Sequence, residues 1–107
     1  MTEIAKQIWH ILQCSIKPMG WFFEPGSIKV IPNGTSFRVN TIFIVGLVEI
    51  TKLSLDSYTV SIQPDNYGSP LIYKDITSDN LVNQIDQVVK EGILVDNRKS
   101  IEYRHAV

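Results

Sequence analysis

Apolar residues keep two rhythms along this chain, a helical one at either end and an alternating one in the middle. From Thr2 to Lys17, Ile4, Ile8, Ile11, Leu12 and Ile16 recur at helical spacing, and Ala5 and Trp9 widen the stripe. This predicts an amphipathic helix capped by Thr2, with Glu3 at its positive end and Lys17 in its last turn. Pro18 and Gly20 stop it. Trp21, Phe22 and Phe23 then fall among Pro18, Gly20, Pro25 and Gly26, which reads as a turn-rich connection.

Alternation takes over at Ser27. A turn centred on Asn33-Gly34 is the strongest short hairpin signal in the chain, and it sets Val30 against Phe37 and Ile28 against Val39. A second hairpin at Asp56-Ser57 pairs Leu55 with Tyr58, Leu53 with Val60 and Thr51 with Ile62. Lys52, Ser54, Thr59, Ser61 and Gln63 then form its wet face. Between the hairpins, Phe37, Val39, Phe43, Val45, Leu47, Leu53 and Leu55 share odd positions, with Glu49 the charged exception. A tight hairpin at Gly46 would mix the faces, so the pattern predicts one long strand, bent or bulged near Gly46. Straight, that strand would reach roughly 65 Å at ~3.3 Å per residue. A compact chain of this length has a radius of gyration near ~13 Å, so the strand must curve or break, most simply at Gly46.

After a loop from Asp65 to Pro70, Leu71-Ile72-Tyr73 reads as a short edge strand. The second helix is the clearest element: Thr77 is its N-cap and Ile76 with Leu81 its hydrophobic staple. Leu81, Val82, Ile85, Val88 and Val89 form its buried stripe, and Gly92 its left-handed stop. Ile93-Leu94-Val95 and a turn at Asp96-Asn97 follow, with residues 97–107 read as a mobile tail. The expected fold class is therefore α+β, in a single domain over 1–107. It is a two-layer sandwich of an N-terminal helix, an antiparallel meander of three to four strands, and a C-terminal helix packed on the same sheet face.

Composition narrows the function classes. In 107 residues, 10 Lys and Arg meet 11 Asp and Glu, and the resulting charge of -1 gives no broad attraction to nucleic acid or anionic membrane. Cys14 stands alone, which excludes an intrachain disulfide and suits a reducing compartment. The longest apolar run, Ile42 to Val48 with Gly46 inside it, falls far short of the about 20 residues a spanning helix needs. Met1-Thr2-Glu3-Ile4 lacks the features of a secretory signal, so a cytoplasmic location is expected.

Candidate chemistry is sparse. His10 and Cys14 share a helix face but lack the further ligands that zinc needs, and the remaining histidine is His105. Paired as base and nucleophile they would lack a third group and an oxyanion site. Asp65 and Asp96 suit turns, Asp75 a lead-in loop, Asp79 a first helical turn, and Asp86 the wet face of its helix. No phosphate-binding, nucleophile-elbow or calcium-loop motif occurs, so no catalytic residue, cofactor or metal is expected.

Two surfaces remain. The register at Asn33-Gly34 would place Lys29 directly opposite Arg38, and with Lys52 they would form a small anion-binding patch. That patch lacks an aromatic platform for stacking bases, so nucleic acid is not favoured as a partner. The stronger candidate is apolar. Trp21, Phe22 and Phe23 cannot all point inward, and the even positions Ile42, Ile44, Val48 and Ile50 oppose the predicted inner face. Each isoleucine left in water forgoes roughly 1.5–3 kcal/mol of burial, so the C-terminal segment, the curled sheet or a second copy should cover them. The basic C-terminal residues Arg98, Lys99, Arg104 and His105 read as part of the tail. The sequence thus points to a non-enzymatic protein-interaction or assembly module, a homodimer through these seven residues. The alternatives are an anion- or nucleic-acid-binding domain using Lys29, Arg38 and Lys52, and a small-ligand binder or enzyme with a deep pocket.

Overall fold

Thr2 caps the first helix through its hydroxyl, which accepts a bond from the Ala5 amide at 3.1 Å. In the computed structural model, which describes residues 2–66, 68–90 and 92, this helix (α1) runs Glu3–Gln13. It buries Ala5, Ile8 and Leu12. It ends four residues short of the expected Lys17, and Pro18 supplies the reason. A proline in a helix clashes with the carbonyl four residues back, here that of Cys14, and restricts the residue before it. The chain instead winds into a 3-10 turn over Lys17–Trp21, leaving Ile16 in solvent rather than on the buried stripe.

Five strands follow as an antiparallel meander in spatial order β1 to β5, one or two more than expected: Lys29–Ile31, Gly34–Asn40, Val45–Ser54, Ser57–Pro64 and Leu71–Ile76. The first hairpin turns at Pro32-Asn33, pairing Ile31 with Gly34 and Val30 with Thr35. Asn33 takes the positive φ of 61°. Proline followed by an asparagine of positive φ is what a type II turn asks for. The expected pairs Val30 with Phe37 and Ile28 with Val39 are therefore replaced. The hairpin joining β3 and β4 slips the same way: Leu55-Asp56 forms the turn, with Asp56 at φ 57°, and Ser54 pairs with Ser57. Leu53 lies in a bulge between Lys52 and Ser54, and Leu53 and Leu55 point into solvent rather than into the core.

The long central strand does break, at 41–44 rather than at Gly46. Asn40 pairs with Val45 and Val39 with Gly46, so parity reverses between β2 and β3. Phe37 and Val39 face inward from β2, whereas Val48 and Ile50 do so from β3. Thr41 organises the loop: its hydroxyl accepts from the Phe43 and Ile44 amides at 3.2 and 3.1 Å and donates to the Val89 carbonyl. With the break, the chain closes to a radius of gyration of 13.1 Å.

The second helix (α2, Ser78–Val89) follows β5 directly. Thr77 is its N-cap residue, and Ile76 and Leu81 are both buried as the staple requires. Thr77 makes no side-chain cap bond; the Ser78 amide instead donates to Asp56 Oδ1 at 2.8 Å. Gly92 adopts φ 74°. Both helices cover one face of the sheet in the α+β arrangement expected, and one hydrophobic cluster joins them to it. The Ile93–Val95 segment and the tail lie outside the described residues.

Phe37 is the centre of an aromatic group. Trp21 stacks on it with centroids 6.2 Å apart, and Trp9 and Phe23 approach its other sides at 5.3 and 5.8 Å. Trp21 Nε1 donates to Asp86 Oδ1 at 2.8 Å, which draws Asp86 into the core rather than onto the wet face of α2.

Candidate interaction surface

The meander and α2 run between two ends of the molecule. One end carries the β1–β2 and β3–β4 turns and the start of α2, the other the 41–44 loop and the finish of α2. Two segments converge on that finish. Thr41 bonds the Val89 carbonyl, and a Cβ placed on Gly92 would sit 2.7 Å from the Phe43 ring. The 3-10 turn reaches the same place, since a Cβ on Gly20 would lie 3.0 Å from the Lys90 side chain. Lys17 Nζ, which donates to Asn83 Oδ1 at 2.7 Å, ties that turn down.

Large apolar side chains stand out from both segments. Ile42 is 93% exposed and Phe22 69%, and Ile16, Met19 and Phe43 are exposed as well. Phe22 points outward because its backbone takes φ 52°, the left-handed region that an aromatic residue seldom enters. This lets its neighbours Trp21 and Phe23 both turn inward. Of the seven residues that the sequence suggests for partner contact, Phe22 and Ile42 are thus held out in solvent. Phe23 and Ile44 are partly buried against the core. Trp21, Val48 and Ile50 are fully buried and offer no surface: Trp21 packs on Phe37 and bonds Asp86, and the parity change at 41–44 turns the even positions of β3 inward. Ile16, Met19 and Phe43 were not singled out from the sequence. The reach of Pro18 back to Cys14 and the turn-forming hydroxyl of Thr41 are the signals that expose them.

Lys29, Arg38 and Lys52 are not brought together. Lys29 pairs with Ser36 instead of Arg38. Arg38 binds Asp65 at 2.6 Å and Glu24 at 3.5 Å, and the hydrogen bond and charge of Asp65 raise its pKa further above the usual guanidinium range. Lys52 lies on the helix side, where its ammonium donates to Gln7 Oε1 at 2.9 Å. His10 Nε2 and Cys14 Sγ stand 3.8 Å apart on the exposed side of α1. No group of three or more metal-ligating side chains occurs among the described residues. A groove of about 570 Å³, lined by Glu3, Lys6, Gln7, His10, Ile11, Tyr58 and Ser78, opens widely to solvent. Among the described residues no helix is long and apolar enough to cross a membrane.

At the opposite end, Asp56 joins the β3–β4 turn to α2. Its hydrogen bonds from Ser78 hold its carboxyl below the ordinary range, and the charge of Lys52 adds to this. Desolvation, with Asp56 nearby, pushes the Tyr58 phenol up. A depressed folded-state carboxylate stabilises the fold above the ordinary carboxylate range and loses that contribution as pH falls through its folded value. Asp56→Asn, which keeps a residue that tolerates the positive φ of 57° while removing the charge, should therefore lower the urea midpoint at neutral pH and converge on the parent chain in acid. An offset that persists unchanged down the whole acid limb would exclude this role.

Comparison with protein-family models, curated proteins and solved structures yields no match.

Proposed function

We propose that this chain is a non-enzymatic protein-interaction module that assembles with other copies of itself. The apolar end built from Phe22, Ile42 and Phe43, with Ile16 and Met19, is its contact surface. The observation that supports the reading is that two segments bearing exposed apolar side chains, the 41–44 loop and the 3-10 turn, both reach the end of α2, at Val89 and at Lys90. A core deep enough to bury Trp21, Phe37 and Ile50 completely leaves these five outside. Full burial of such a side chain is worth roughly 1.5–3 kcal/mol, and a partner would restore the share that each exposed residue forgoes. Aromatic residues and methionine are enriched at the cores of known interfaces, where a few anchors carry most of the energy. Four of the described carboxylates have structural tasks: Asp65 and Glu24 hold Arg38, Asp86 holds Trp21, and Asp56 accepts from the first amide of α2.

Sedimentation velocity tests the reading. The parent chain should gain mass as its concentration rises into the high micromolar range, whereas Phe22→Ser with Ile42→Ser should stay monomeric with an unchanged melting temperature. A parent chain that remains monomeric throughout contradicts it.

A further inference from the structure

We infer that Asn33 is a modification site, whose side-chain amide is lost to attack by the Gly34 nitrogen, leaving aspartate or isoaspartate at the β1–β2 turn. The fold itself demands this pair of residues. Position 33 holds φ 61°, a region that glycine, asparagine and aspartate enter most readily. Position 34 admits no side chain, since a Cβ there would meet the Ile50 carbonyl oxygen at 1.8 Å. A following residue without a Cβ lets its backbone nitrogen reach the asparagine side-chain carbon with least hindrance. Asn33 is the one asparagine in the chain that glycine follows. It is exposed, and its side-chain amide bonds to nothing among the described residues. Asn80 and Asn83 are held by contrast, the first donating to Thr77 Oγ1 and the second accepting from Lys17. Ile31 pairs with Gly34 at the base of the turn, so the Gly34 amide must first come free. Opening there takes little, because β1 is a three-residue edge strand with Lys29 and Val30 exposed.

In the first step the Gly34 nitrogen gives its proton to solvent base and bonds to Asn33 Cγ. The Cγ–Nδ2 bond breaks, and Nδ2 leaves as ammonia. Water then opens the cyclic imide at either of its two carbonyls. Opening at Cγ leaves aspartate in an unaltered main chain. Opening at the former backbone carbonyl leaves isoaspartate, with the main chain routed through Cγ and the α-carboxylate set free. The two products differ in consequence. Aspartate tolerates the same backbone conformation and adds only a negative charge. Isoaspartate lengthens the main chain by one carbon and converts the carbonyl that accepts the Lys52 amide at 2.9 Å into a free carboxylate. Gly34 faces Thr51 with no room to shift, so this form loosens the pairing of β2 with β3.

Peptide mapping by mass spectrometry tests this on the folded parent chain, incubated in neutral and in mildly alkaline buffer. The peptide carrying Asn33 should gain the mass of an amide turned to a carboxylate, and gain it faster in the alkaline buffer. Peptides carrying Asn40, Asn80 and Asn83 should stay unchanged over the same period. Ion exchange should resolve a matching species with one more negative charge, part of which an isoaspartyl methyltransferase labels. Asn33→Gly, which keeps the turn, should yield no such species. The aspartate product should melt with the parent and the isoaspartate product below it. Modification confined to chain unfolded in urea would show that the folded hairpin shields the Gly34 amide, and would overturn the site. An Asn33 peptide that stays intact while another asparagine changes would overturn it equally.

Discussion

Trp21→Ala should cost close to the whole stability of the domain. Removing a fully buried aromatic ring costs about 3–5 kcal/mol. Here the ring also stacks within 7° of parallel on Phe37, and its indole N–H satisfies Asp86, which is itself 3% exposed. Leaving that carboxylate buried without its donor adds about 1–3 kcal/mol. Folded domains have only about 5–15 kcal/mol in total, so the variant should be largely unfolded at 37 °C or melt far below the parent. Trp21→Phe separates the two contributions, keeping most of the ring while losing the donor, and should cost about 1–3 kcal/mol. Adding Asp86→Leu to Trp21→Phe should recover much of that loss, because no polar group is then left stranded. Urea melts followed by circular dichroism would measure all three. Recovery failing in the double variant would mean that Asp86 holds α2 through something other than Trp21.

Gly34→Ala carries the second large effect, and it tests the register. A Cβ at Gly34 would fall 1.8 Å from the Ile50 carbonyl oxygen and 2.9 Å from Thr51 Cα, both backbone atoms of the neighbouring strand. Neither can swing aside as a side chain would, so β2 and β3 must separate locally. Overpacking usually costs about 1–3 kcal/mol, and this contact should lie at the top of that range or above it. Were Gly34 instead a central turn residue of positive φ, alanine there would cost only about 1–2 kcal/mol. Asn33→Gly is the control: Asn33 is exposed and holds φ 61°, so glycine should be nearly neutral. Equal, small losses at both positions would favour the turn at Asn33-Gly34 over the one at Pro32-Asn33.

That turn explains what could be read in the chain and what could not. The helices were legible because their apolar stripes and caps are local: Thr2, Thr77 and the Ile76–Leu81 staple act within one turn of each helix. Strand positions were legible too, but their faces were not. Both hairpins place the Asx residue second in a two-residue turn, after Pro32 and after Leu55, where the sequence pattern placed it first. A slip of one residue exchanges the faces of a strand. Leu53 and Leu55 thus move from the expected core to the surface, while Val48 and Ile50 move the other way. The 41–44 loop compounds this, because its turn rests on the Thr41 side chain and on a bond to Val89, which is 48 residues away. An exposed aromatic was legible in the Trp21–Phe23 segment; which of the three is exposed follows from the left-handed backbone of Phe22 and from the contacts of Trp21 and Phe23 with Phe37.

The direct measurement is amide hydrogen exchange on the parent chain at low and at high micromolar concentration. Self-assembly through the exposed apolar residues predicts slower exchange at the higher concentration, confined to 16–22 and 41–44, with the sheet interior unchanged. Identical exchange in those segments at both concentrations would contradict the account.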